Sequence, residues 1–76
     1  MNEIRRQRVA DLQRELQEVR ARIYEVMASE QEAHANLPDG IEHSRYGESI
    51  GQSIGHLTEA ADDLGPVIAL LELARA

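Results

Sequence analysis

Apolar residues follow a three-four rhythm through the first half of the chain: Val9, Leu12, Leu16, Val19, Ile23 and Val26, continuing through Glu30, Ala33 and Leu37. Such intervals, held over about four heptads, predict a long helix with a coiled-coil-like seam. Glu30, the charged residue in that row, reads as a polar device that sets register and oligomer state. A second row repeats the rhythm at Ile50, Ile54, Leu57, Ala61, Leu64, Ile68 and Leu71. Between the rows lies Asn36-Leu37-Pro38-Asp39-Gly40. Pro38 disfavours the helical region at Leu37, and Asp39-Gly40 supplies a turn. Ser44 is placed to accept from the free amides that open a second helix. The pattern predicts one all-α domain, residues 1–76, built as an antiparallel two-helix hairpin: helix 3–36, loop 37–43, helix 44–75.

Folding the chain at that loop sets Leu12 against Ile68, Leu16 against Leu64, Val19 against Ala61 and Ile23 against Leu57. The Arg-rich start of the chain then lies beside Glu59, Asp62, Asp63 and Glu72. Gly65-Pro66 conflicts with the pattern, because proline lacks an amide donor and crowds the preceding turn. The heptad phase continues across it from Leu64 to Ile68, so the second helix is expected to be kinked but nearly continuous.

Two features call for a partner. The stretch from Val67 to Ala74, with Leu70 and Leu73, is apolar nearly all round, and one neighbouring helix covers only one side of it. Gly47, Gly51 and Gly55 recur every four residues, a spacing that lets backbones approach closely. A homo-oligomeric helical bundle would bury both surfaces, with Gly47, Gly51, Gly55, Val67, Leu70 and Leu73 at its interface.

Composition narrows the chemistry. Seventy-six residues bury little surface alone, and there is no cysteine for disulfides, thiolate catalysis or zinc-thiolate binding. The aromatic residues are Tyr24 and Tyr46, so the core is aliphatic. No apolar run is long enough to span a membrane, and Met1-Asn2-Glu3-Ile4-Arg5-Arg6 lacks the apolar core of a signal peptide, which makes a cytoplasmic location the expectation. The net charge of −6 is uneven. Residues 1–22 carry six Arg against four acids, whereas residues 23–76 carry two Arg against ten. An acidic second half disfavours duplex nucleic acid as a partner. The Arg5-Arg6-Gln7-Arg8 run reads as a solvated helix face.

No catalytic set, metal site or cofactor signature is expected. Glu30 and His34 share a helix face, but this register places His56 opposite Tyr24 and supplies no third ligand or second acid. The segment His43-Ser44-Arg45-Tyr46 is the candidate ligand site. It combines a fork-shaped cation, an aromatic plane, a hydroxyl and helix N-terminal amides, the parts that hold a phosphate and stack a base.

The stretch Glu30-Gln31-Glu32-Ala33-His34-Ala35-Asn36-Leu37-Pro38, with Ser44-Arg45-Tyr46-Gly47-Glu48 and the patterned helix after it, resembles small helical-hairpin proteins encoded by phages, prophages and actinobacterial or firmicute genomes. The sequence departs from that pattern at Gly51, Gly55, Gly65 and Pro66. The resemblance implies no activity and no functional residues; it points toward small binders that block or sequester host factors. The functional expectation is a non-enzymatic, oligomeric interaction module that binds itself and a protein partner. The alternative is a binder that sequesters a nucleotide-like anion at the loop end.

Overall fold

The structure, a computed structural model, describes residues 1–41 and 43–76. It contains two helices packed against each other, α1 over Glu3–Ala35 and α2 over Arg45–Arg75. The carbonyl oxygen of the Asn2 side chain accepts from the Arg5 amide at 2.9 Å and caps α1, with Glu3 adding a favourable carboxylate in the first turn. At the other end, the Asn36 amide donates to the Glu32 carbonyl and the Leu37 amide to the His34 carbonyl before Pro38 stops the helix. The Ile41 amide then closes a turn onto the Pro38 carbonyl at 3.0 Å, with Gly40 at φ +88°, a conformation that side chains resist.

Ser44 caps α2 as the sequence suggests. Its hydroxyl accepts from the Gly47 amide at 3.3 Å and donates to the Ile41 carbonyl, tying the turn to the helix start. The helix continues through Pro66. Gly65 eases that passage, because much of the clash before a proline involves a Cβ that glycine lacks.

The buried side of α2 is the predicted row. Ile50, Ala61 and Ile68 are buried, while Ile54, Leu57, Leu64 and Leu71 are half-buried. The facing side of α1 is not. Its half-buried residues are Val9, Ala10, Asp11, Gln13, Leu16, Arg20, Ile23, Met27, Glu30 and His34, with Leu37 just beyond its end, and none is fully buried. The seam therefore keeps Val9, Leu16, Ile23, Glu30 and Leu37 but takes Gln13, Arg20, Met27 and His34 in place of Leu12, Val19, Val26 and Ala33. Leu12, Val19 and Val26 stay 50%, 39% and 53% exposed.

Register moves as well. Gln13 Nε2 donates to Glu72 Oε2 at 2.8 Å, Arg20 lies against Gly65, and the Thr58 hydroxyl sits 3.0 Å from Met27 Sδ. These contacts step by seven residues in opposite senses along the helices, roughly one helical turn from the expected pairing. The cause is shape. Gly65 leaves room on α2 for Arg20, and the long, unbranched Gln13 and Met27 reach Glu72 and Thr58, whereas Leu12 and Val19 belong to a neighbouring stripe that α2 is too narrow to cover. The expected pairing of Arg with Glu59, Asp62, Asp63 and Glu72 gives way accordingly. Glu72 meets Gln13 and its own helix's Arg75, and Arg6–Glu3, Arg14–Asp11 and Arg75–Glu72 each join residues three apart on one helix.

Arg20 has the least comfortable position in this seam. Its guanidinium lies 5.6 Å from the Tyr24 ring centroid, yet its Nε is shielded from solvent without a hydrogen-bond partner. An unmet buried donor costs about 1–3 kcal/mol, and an exposed cation–π contact returns only about 0.5–1 kcal/mol. Arg20→Met, which keeps the stem and drops the donor, is expected to stabilise the hairpin by about 1 kcal/mol in thermal melts. A lower melting temperature would show that the guanidinium is a net asset.

The molecule is a rod with extents of 59 × 15 × 12 Å. Among the described residues no helix is long and apolar enough to cross a membrane.

Candidate functional site

Three surfaces could carry function: the loop end, the end where the termini meet, and a groove along the length of the rod. At the loop end, Arg45 and His43 are exposed and Tyr46 is 63% exposed. The Ser44 hydroxyl is already engaged twice, by the Gly47 amide and the Ile41 carbonyl. The Gly47 and Glu48 amides are taken by Ser44 itself, and Glu48 adds a carboxylate to the first turn. The four residues lie together as predicted, but the hydroxyl and part of the amide cradle are spent on the helix cap.

At the opposite end, Glu3, Arg6 and Gln7 of α1 meet Glu72, Arg75 and Ala76 across a charged cleft. Its charges are matched internally, Arg6 to Glu3 at 3.7 Å and Arg75 to Glu72 at 3.3 Å.

The third surface is apolar. Val19, Arg22, Ile23, Val26 and Leu57 line one stretch of a shallow groove between the helices, and Val26, Glu30, Ser53, His56 and Leu57 line the next. The two stretches share Val26 and Leu57, so they form one surface. Leu12, seven residues before Val19, extends it toward the N-terminus. Sequence reasoning assigned Leu12, Val19 and Val26 to the seam inside the hairpin; their heptad spacing was visible, but the neighbour that covers them was not.

This groove also corrects the placement of His56. The expected register set it opposite Tyr24, whereas the structure brings it, with Ser53, to the same rim as Glu30. A hydroxyl, an imidazole and a carboxylate are the ingredients of nucleophilic catalysis, which requires them within hydrogen-bond reach of one another. Among the described residues no hydrogen bond or ion pair links these three, and no three His, Asp or Glu gather as a metal-ligand group.

The expected interface residues divide. Gly47 is buried within the chain, whereas Gly51 and Gly55 are exposed, and a Cβ added at either meets nothing within 4 Å. Val67, Leu70 and Leu73 are 44%, 64% and 72% exposed. Comparison of the chain with protein-family models, curated proteins and solved structures returned no match.

Proposed function

We propose that the chain is a non-enzymatic interaction module, a helical hairpin that assembles with further copies and, so assembled, occupies a host protein in the cytoplasm. The observation that carries this reading is the surface left open. The chain exposes 5580 Å², whereas a compact monomer of 8.5 kDa exposes about 4,700 Å². That excess is similar to the roughly 800 Å² each partner contributes to a specific interface. The open surface includes large aliphatic side chains: Leu12, Val19 and Val26 on α1, and Val67, Leu70 and Leu73 on α2. An α1 without a single buried side chain has little to hold it in place in an isolated hairpin of this length.

The resemblance around residues 30–48 to phage-type hairpins supports a role in binding rather than chemistry. Sedimentation equilibrium tests the assembly directly. The mass should be that of a dimer or larger at micromolar concentration, and the melting temperature should rise with protein concentration. A folded monomer whose melting temperature is independent of concentration would overturn the reading.

A further inference from the structure

Leu12, Val19 and Val26 are spaced by sevens, so they share a stripe on α1, and they are the large aliphatic residues that α2 leaves open on that helix between residues 9 and 35. We propose that a second copy of the chain covers this stripe with its own α1 running antiparallel, the two-fold axis passing at Val19. This rests on the reading that the chain self-associates and specifies the surface by which it does so. An axis at the middle residue of three sets Val19 against its own counterpart and Leu12 against the second copy's Val26, so all three are covered at once. Such an interface is isologous, and the same patch serves both copies.

Charge fixes the direction. Exposed Arg8, Glu15 and Arg22 also recur by sevens beside the stripe, and Arg22 lines the groove itself. With the axis at Val19, Glu15 meets the second copy's Arg22 on the same flank of the stripe. A parallel pairing would instead turn this flank toward the second copy's Leu16 and Ile23, leaving Glu15 without a facing cation. The same holds on a larger scale. Across an axis at Val19, residues 3–15 carry four Arg against three acids and face residues 23–35, which carry Glu25, Glu30 and Glu32 and no Arg, so antiparallel helices set opposite net charges together. Paired charges of this kind select orientation, while the aliphatic stripe supplies affinity.

The groove supplies a second wall. Leu57 and Ser53 border it from α2, and Ser53 is followed at intervals of seven by Ala60 and the exposed Val67. The second copy's α1 can therefore rest between both helices of the first, giving a four-helix bundle. Gly51 and Gly55 lie on the far side of α2 and remain open.

Because the chain has no cysteine, single thiols report the geometry cleanly. Val19→Cys should be captured as a covalent dimer by a short thiol-to-thiol cross-linker. Leu12→Cys and Val26→Cys should each cross-link poorly alone and efficiently when mixed. Glu15→Arg should raise the dimer dissociation constant by about tenfold or more, and adding Arg22→Glu to the same chain should restore it. In a parallel pairing no cation faces Glu15, so no loss and no rescue would overturn the antiparallel arrangement. If Leu70→Cys is captured and Val19→Cys is not, self-association stands and this interface is overturned. A monomer in sedimentation overturns both.

Discussion

Ala61→Leu should cost the hairpin about 2–3 kcal/mol or more, a large share of the stability available to a chain of this size. Ala61 is 0% exposed, the most enclosed of the buried apolar side chains among the described residues, and it lies on the face of α2 that packs against α1. Three added carbons have no void to enter there. They must push α1 outward, and the rod shape spreads that displacement to the neighbouring layers at Leu57 and Leu64. Ala69→Leu supplies the comparison, since Ala69 is exposed on the same helix. It should change stability by no more than about 0.5 kcal/mol. Chemical denaturation of both variants checks the contrast, and equal effects would mean that Ala61 is not the close-packing point.

The second large effect is expected in the opposite direction. Gly51 and Gly55 stand inside α2 with open space where a Cβ would go. Glycine in a helix interior costs about 1 kcal/mol relative to alanine, mainly through the freedom it gives the unfolded chain. The double variant Gly51→Ala/Gly55→Ala should therefore gain about 1–2 kcal/mol, equivalent to a rise of roughly 5–15 °C in melting temperature for a domain of this length. Its mass in sedimentation should not change. Loss of assembly in this variant would instead place another backbone against the glycine row, which is how the four-residue spacing reads in the sequence.

The two helices and the connection between them were legible for reasons that can be named. Pro38 ends one rhythm, Ser44 opens the next, and the second row stands out sharply because few other positions of α2 before Val67 carry large aliphatic residues. The first row was ambiguous in a way hydropathy does not resolve. Val9, Leu16 and Ile23 belong to the seam on either reading, but two columns flank them, Leu12/Val19/Val26 and Gln13/Arg20/Met27. Apolar character says which column avoids water; it does not say which neighbour provides the cover. The seam within the chain took the column with long, flexible stems, which reach Glu72, Gly65 and Thr58, and left the purely aliphatic one outside. The shift in register has the same origin, and it carried His56 from its expected place opposite Tyr24 to the rim beside Glu30. The Asn2 cap was legible in residue type, an asparagine just before a helix, and was missed only because the periodic pattern begins several residues later. The loop-end cluster illustrates the reverse case: the residue types suited an anion, yet the serine hydroxyl among them is consumed by the helix it starts.

The cleft formed by Glu3, Arg6, Arg75 and Ala76 places the beginning and end of the described chain side by side, with the turn at the far end of a 59 Å rod. A load applied between the two ends therefore acts across the rod rather than along it. It parts the helices one layer at a time, from Val9 and Arg75 toward Leu37 and Gly47, instead of shearing every layer together. Such a joint yields gradually at low force and closes again from the capped turn, so partners tethered to its two ends could be drawn apart and brought back without the turn coming undone.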